Sequence, residues 1–366
     1  MRIAILTRPL FDNYGAILQN YALQRYLQRL GHSPETIDYD LLAIPWHLRL
    51  LIGLKRFIFK YILRVKGISR VDPVQEGYEM HLRNEGEMVR FIEQYIHSRM
   101  GKWPLTPRFV RNNPYEAYIV GSDQVWRADY TAHLMNYFLD FVNNPQIRKI
   151  AYAASFGVDV LDPKQYDIKK ISCLLGRFDA VSVREKSGVS LCKEILGCKA
   201  EHVLDPTMLL TADDYENHLH LIRDESKYLV VYILDDTPQK RRVVELISQR
   251  MHLPVKYIGR HGSPILPSIE SWLEGIMNAR FVVTDSFHGS VFSILFEKDF
   301  ITINNSVRGT TRITSLFEMM GISSQRMLSQ NIMQIPEFTP IDYSIIRHRL
   351  AAERVKAANF LSSALQ

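Results

Sequence analysis

Cysteine is scarce in this chain, with three in 366 residues: Cys173, Cys192 and Cys198. Their number is odd and no Cys-x-x-Cys pair occurs, so a disulfide framework is excluded and a reduced, cytoplasmic chain is the simplest reading. His-Glu-x-x-His is also missing, and no metal is expected. The chain has no Gly-x-Gly-x-x-Gly after its first strand, no Gly-x-x-x-x-Gly-Lys and no Gly-x-Ser-x-Gly. These absences argue against a dinucleotide fingerprint, a P-loop and a nucleophile elbow. No uninterrupted apolar run reaches about 18 residues, which argues against a spanning helix. The opening Met-Arg-Ile-Ala-Ile-Leu-Thr-Arg is too short in its apolar part for a signal peptide and reads as a strand.

Acid is missing from one stretch. Residues 41–70 hold Arg49, Lys55, Arg56, Lys60, Arg64, Lys66 and Arg70 and no Asp or Glu. Leu51, Leu54, Ile58, Tyr61 and Val65 recur there at helical spacing, with Arg56, Lys60 and Arg64 on the other side. Two readings stand. A basic amphipathic helix can lie on an anionic membrane surface, as a peripheral contact through 41–70. Alternatively, it packs its apolar stripe on its own domain and solvates its charges. No nucleic-acid partner is expected, because aromatic and basic residues do not interleave on a strand platform. The net charge of +6 suits anionic ligands without requiring nucleic acid.

What is present is an ordinary globular composition, 46% hydrophobic and 23% charged. The length favours two domains. Short apolar strands alternate with helical patterns, which argues for βαβ units and parallel sheets. A first series of strands falls at Arg2–Leu6, Glu35–Tyr39, Ala117–Val120, Lys149–Ala153, Ala180–Val183 and His202–Leu204. A second falls at Tyr228–Leu234, Val255–Ile258, Phe281–Thr284 and Phe300–Ile303. Helices are expected at Ala16–Leu30, Glu87–His97, Ser187–Leu196, Lys240–Met251 and Ile269–Ala279. The fold class is therefore α/β, with two Rossmann-like domains facing across a cleft. The first domain spans 1–208 with a helical insertion at about 45–110, and the second spans 209–340. A C-terminal helix over 341–366 is expected to cross back to the first domain.

Ligands in open α/β sheets sit beyond the carboxyl ends of the strands. Polar groups gather at several such ends. Phe281–Thr284 is followed by Asp285, Ser286, Phe287, His288, Gly289 and Ser290, and a histidine there can carry a proton near neutral pH. The competing reading is a helix capped by Asp285 or Ser286 with His288 a bystander. After the first strand, Asn13, Tyr14, Gly15 and Ala16 open a helix whose N-terminus can hold an anion, or Asn13 merely caps it. After Val120 come Gly121, Ser122, Asp123, Gln124, Val125 and Trp126. Ser122, Asp123 and Gln124 can hydrogen-bond hydroxyls, and Trp126 offers a flat face for a sugar; a capped helix with a packed Trp is the alternative. Arg184 leaves the Ala180–Val183 strand and can clamp a phosphate or carboxylate, or pair with Glu185. Arg308 and Arg312 follow the Phe300–Ile303 strand and add positive charge.

The run Asn13-Tyr14-Gly15-Ala16-Ile17-Leu18-Gln19-Asn20-Tyr21-Ala22-Leu23-Gln24 resembles the opening motif of the polysaccharide pyruvyl transferase family. Gly121–Trp126, Ser182–Glu185, Leu204–Thr207 and Asp285–Gly289 are similar to its later motifs, in order, and the resemblance covers about residues 2–320. It implies a GT-B-like pair of Rossmann-type domains. It also implies transfer of pyruvate from phosphoenolpyruvate to a sugar of a surface polysaccharide, or of its lipid-linked precursor, forming a ketal and releasing phosphate. Phosphoenolpyruvate is then a co-substrate, and no separate cofactor is expected. The family places it near the residues matching Arg184 and His288, the catalytic pair. Ser286, Gly289 and Arg312 join the donor side, and Asn13, Gly15, Ser122, Asp123, Gln124 and Trp126 form the acceptor side. Some relatives carry arginine where this chain has Ser286, so a second anion contact falls to Arg312 or Arg308. The implied location is cytoplasmic, at the inner face of the membrane if 41–70 lies on it. Two other readings share the cleft: a GT-B glycosyltransferase using a nucleotide sugar, and a glycan-binding protein without catalysis.

Overall fold

A computed structural model describes residues 1–42, 46–64, 70–224, 227–305, 308–337 and 339–366. In chain order the first half contains β1 (Arg2–Leu6), α1 (Tyr14–Arg29), β2 (Ser33–Asp38), α2 (Trp46–Phe57), α3 (Pro73–Tyr95), β3 (Ser98–Met100), α4 (Pro107–Asn112), β4 (Ala117–Val120), β5 (Arg148–Ala154), α5 (Ile168–Leu175), β6 (Ala180–Val183), α6 (Lys186–Ser190) and β7 (Glu201–His202). The second half contains α7 (Ala212–Leu219), β8 (Leu229–Tyr232), α8 (Pro238–Met251), β9 (Val255–Tyr257), α9 (Ile269–Met277), β10 (Phe281–Thr284), α10 (Phe287–Leu295), β11 (Phe300–Ile303), α11 (Thr311–Met320), β12 (Met327–Leu328) and α12 (Tyr343–Leu365).

The strands form two parallel sheets, in the orders β3-β2-β1-β4-β5-β6-β7 and β12-β11-β10-β8-β9. The apolar runs in the sequence are the physical cause. Alternate side chains of a strand point to opposite faces, so a strand covered on both faces must be apolar throughout. Ala4 and Leu6 of β1 join a core with Trp126 and Phe156, whereas Ile3 and Ile5 join one with Leu23 and Leu361. In the second sheet Val230 and Val282 face one way, and Leu229, Val231 and Val283 the other.

In each sheet the chain winds outward, returns, and winds the opposite way. The reversal falls between β1 and β4 in the first sheet and between β8 and β10 in the second. A crevice opens at such a point, because the connections on its two sides leave in opposite directions. The two sheets form the facing, GT-B-like pair of Rossmann-like lobes. One apolar core joins them, containing Tyr14, Ile17 and Tyr21 of α1 together with Trp272 of α9 and Phe292 of α10. Tyr14 stacks on Trp272 at 5.2 Å, and its hydroxyl donates to the Pro267 carbonyl.

α12 begins on the second lobe and ends on the first. Ile346 and Leu350 lie in the joint core, and Ala357, Phe360, Leu361 and Ala364 pack with Ile3, Ile5 and Tyr152. Arg354 ties it to the backbone carbonyls of Met208 and Leu210.

The insertion is helical but not regular. α2 continues into a π turn over Ile58–Ile62, which breaks the 3.6-residue spacing read from the sequence. No residue from Trp46 to Ile62 is buried, so this apolar stripe does not pack on its own domain. Val65 and Lys66, counted above with this segment, lie outside the described residues.

Candidate active site between the two sheets

A small cavity of about 90 Å³ lies where the two crevices meet. Arg8, Asn13, Asp123 and Gln124 line it from the first lobe; Asp285, Ser286, His288, Asn305, Arg308 and Arg312 line it from the second. Each set sits just beyond strand ends. Arg8 follows β1, Asp123 follows β4, Asp285 follows β10, and Asn305 follows β11.

Two helix N-termini bring their exposed N–H groups to this region. Asn13 caps α1, its side-chain oxygen accepting from the Ala16 N–H at 3.1 Å. Ser286 caps α10, accepting from Gly289. Both ends favour negative charge. Asp285 has a different task from the cap read in the sequence. Its carboxylate accepts from the Leu234 N–H at 2.7 Å and the Lys240 ammonium at 2.6 Å, and from Asn305 at 3.0 Å. It therefore cross-links the ends of β8, β10 and β11.

His288 sits at the seam between lobes. Its Nε2 lies 3.7 Å from Asp205 Oδ2 of the first lobe and has no hydrogen-bond partner among the described residues. The other edge of the ring lies over Gly15. A Cβ added to Gly15 would come 1.9 Å from His288 Nδ1, so only glycine leaves room for the imidazole. The second glycine with a clear steric duty is Gly121, at φ +113, where a Cβ would meet the Tyr152 carbonyl at 2.3 Å. Two residues on, Asp123 adopts φ 67, a left-handed backbone that costs an L-residue energy and recurs at functional sites.

Charge is dense around the histidine. The Arg184 guanidinium donates to Asp205 at 2.7 Å and to Asp123 at 3.3 Å, and it lies 4.4 Å from the centre of the Phe287 ring. Burial opposes charge on Asp205, yet its carboxyl is held well below the usual range by His288 and Arg184. Burial likewise opposes charge on Asp123, which Arg184 and Arg8 nevertheless keep low. Arg312 is the exception among the cations. Burial and the nearby charge of Arg184 lower it to about 10, and its buried Nε has no hydrogen-bond partner among the described residues. Arg308 is bound in two-pronged fashion to Asp235, whose carboxyl this contact lowers to about 2.

The sequence profile of polysaccharide pyruvyl transferases matches residues 13–307. The chain belongs to the polysaccharide pyruvyl transferase family. It is accordingly a transferase. A search of curated proteins returns no match. Solved structures are similar only in fold. The UDP-GlcNAc 2-epimerase from Neisseria meningitidis bound to UDP-GlcNAc is 9% identical with a TM-score of 0.48, over 100% of this chain and 94% of that one. An S. aureus MnaA–UDP co-structure is 11% identical at 0.49, over 98% and 89%. An alpha-glucosyltransferase in complex with UDP and a 13-mer DNA is 12% identical at 0.43, over 99% and 95%.

In this pyruvyl transferase family member, Asn13, Asp123, Gln124, Ser286, His288 and Arg312 surround one cavity. Gly15 backs the imidazole. Four other residues lie elsewhere. Trp126 is wholly buried, stacked on Phe138 at 5.0 Å with its indole N–H bonded to the Tyr137 carbonyl; no face is left for a sugar. Ser122 is also wholly buried and donates to the Ala153 carbonyl at 2.7 Å, so it holds the turn rather than an acceptor. Gly289 packs against Thr284, where a Cβ would fall 2.3 Å from Oγ1. Arg184 lies behind Phe287 rather than on the cavity wall. Its anticipated partner Glu185 instead accepts from Ser155 and from the Phe156 and Gly157 N–H groups.

Arg8, Tyr130 and Asn305 also line the cavity, beyond the residues expected from the sequence. The same strand-end rule would have found Arg8 and Asn305, two residues past β1 and β11. Tyr130 has no such signal, because it comes from the loop after β4 and is held there by Arg127 and Arg8.

Proposed function

We propose that the cavity binds phosphoenolpyruvate and that the protein transfers its pyruvyl group to a sugar hydroxyl pair of a surface polysaccharide or its lipid-linked precursor. The observation that carries this reading is that His288 and Arg312, whose buried Nε2 and Nε have no hydrogen-bond partner among the described residues, both line one small cavity between two lobes. A cavity of about 90 Å³ suits a small enol phosphate better than a nucleotide sugar, which is several times larger.

The chemistry follows from the placement. Protonated His288 gives its proton to the methylene carbon, which becomes the methyl group. One sugar oxygen bonds to the neighbouring carbon, phosphate leaves with the electrons of its C–O bond, and a second sugar oxygen closes the ketal. Of the two hydroxyl protons, one restores His288 and the other leaves on phosphate. Arg312 binds the anion directly. Arg184 contributes its charge from behind Phe287 and holds Asp123 and Asp205 in place. Asp123, Asn13 and Gln124 face the acceptor. The acceptor's lipid would place the protein in the cytoplasm at the inner face of the membrane, with the 41–70 segment nearest the bilayer.

The test is direct. Phosphoenolpyruvate should raise the melting temperature and a nucleoside diphosphate should not. Phosphate release with candidate sugars should fall by roughly 10²–10⁴ in His288→Ala. Unchanged turnover in that variant, with the fold intact, removes His288 as the acid. Stabilisation by a nucleoside diphosphate alone would favour the glycosyltransferase reading.

A further inference from the structure

We infer that the outer surface of α2 and its π turn docks on an anionic phospholipid bilayer and sets the cleft mouth beside it. The inference rests on the lipid-linked reading of the acceptor for its purpose, and on the surface itself for its existence.

The surface is apolar without being packed. Trp46, Leu50, Leu51, Leu54, Phe57, Tyr61 and Ile62 are all exposed, Trp46 by 74% and Leu54 by 61%. Twelve residues of α2 and five of the π turn make a rod roughly 25 Å long at about 1.5 Å per residue. A contiguous apolar face of that extent marks an interaction site rather than scattered surface residues. No helix among the described residues is long and apolar enough to cross a membrane. A helix of this kind lies in the interface plane instead.

Charge selects the partner. Asp72, Glu76 and Glu79 of the α3 start face this surface, and each is already held by Arg49, Arg56 or Arg70. Arg49, Lys55, Arg56, Lys60, Arg64 and Arg70 outnumber these acids, and the rod has no acid of its own. In a two-fold dimer through this patch one net-positive surface would face another, because such an interface pairs the same patch of both subunits. An anionic bilayer offers both an apolar layer and opposite charge.

The patch also stands in a useful place. α3 leads from it toward the cleft. From Glu76, which binds Arg56, nine residues of helix reach Glu85, about 14 Å along the axis. Glu85 pairs with Arg260 of the second lobe, and Arg260 lies 4.0 Å from Asp12, the neighbour of the cavity residue Asn13. Docking through α2 therefore brings the mouth near the headgroups, where a lipid-borne sugar is presented.

The experiment is co-sedimentation of the full chain with vesicles of phosphatidylglycerol and phosphatidylcholine, against phosphatidylcholine alone. The protein should bind the anionic vesicles, and raised salt should weaken binding about tenfold or more. The double variant Leu54→Glu, Phe57→Glu should lose binding by a similar factor. Both positions are exposed, so its melting temperature and its turnover of a soluble sugar acceptor should be unchanged. Wild-type protein left in the supernatant at low salt would overturn the inference, as would a variant that binds like the wild type. So would a dimer in solution that the double variant abolishes. Vesicle binding without turnover of any acceptor would sink the reaction and leave the docking surface standing; turnover without vesicle binding would do the reverse.

Discussion

The site is set by steric and electrostatic restraints that cross from one lobe to the other. Gly15 of the first lobe shapes the place of His288 from the second, and Asp205 of the first faces the same ring. Gly15→Ala should therefore fold and yet displace the imidazole by more than an ångström. Misplacement on that scale costs on the order of 10² in rate. Phosphate release measured beside a melting curve separates lost geometry from lost stability, and a fully active Gly15→Ala enzyme would refute the packing argument. Asp205 acts through its neighbours and is a positioning residue. Asp205→Asn keeps the shape but removes the carboxylate charge that Arg184 and His288 face. Turnover should fall while the KM for phosphoenolpyruvate barely moves, because Asp205 does not line the cavity. The variant should also lose about 3 kcal/mol of stability, because Arg184 keeps its buried charge after its nearest carboxylate is neutralised, with Asp123 and Glu185 left to offset it. A loss of turnover that only tracks the loss of folded protein, or a KM that rises with it, would assign Asp205 a purely structural part.

Elements were legible wherever one period dominated. Phe281–Thr284, Phe300–Ile303, Ala117–Val120 and Arg2–Leu6 are strands at the residues expected, because each is apolar on both faces and ends at a polar turn. Two of the four edge strands, β3 and β12, carried no such run: Ser98–Met100 is exposed along its length, and β12 is two residues long. The Ser187–Leu196 stretch reads as one helix but divides into α6 and a π turn at Leu191–Ile195, a change of hydrogen-bond register that apolar spacing does not encode. Strand-end chemistry located the cavity yet could not tell a residue that faces it from one beneath it. Trp126 and Arg184 follow strand ends as Asp123 does; which way each points depends on packing against Phe138 and Phe287 from distant parts of the chain. At this scale α12 offers a quantitative check. Phe360 packs on Tyr152 at 6.1 Å, within the core behind the first sheet. Phe360→Ala should cost about 3 kcal/mol in urea unfolding. A loss under about 0.5 kcal/mol would mean that the helix end does not stay docked.

For the molecule as a whole, the cleft carboxylates and one buried carboxyl pull the pH dependence of stability in opposite directions. Asp205, Asp123 and Asp235 gather around the cleft with their folded values depressed by cationic partners. Their contribution is present above the unfolded value near 4 and is lost as pH falls; Asp235 gives up its share toward about 2. Asp38, at the end of β2, behaves oppositely. Burial raises it to about 6, although its carboxylate accepts from the Leu10 and Tyr39 N–H groups. Its folded value exceeds its unfolded value, so its contribution is complete below about pH 4 and is lost as pH rises through 6. Above that pH the folded state carries a poorly hydrated charge. Asp38→Asn keeps an oxygen to accept both N–H groups and has nothing to ionise. It should stabilise the protein by on the order of 1–3 kcal/mol at pH 8 and by almost nothing at pH 4. Unfolding followed by calorimetry at both values decides the matter. An equal gain at the two pH values would show that the benefit comes from packing and not from proton linkage.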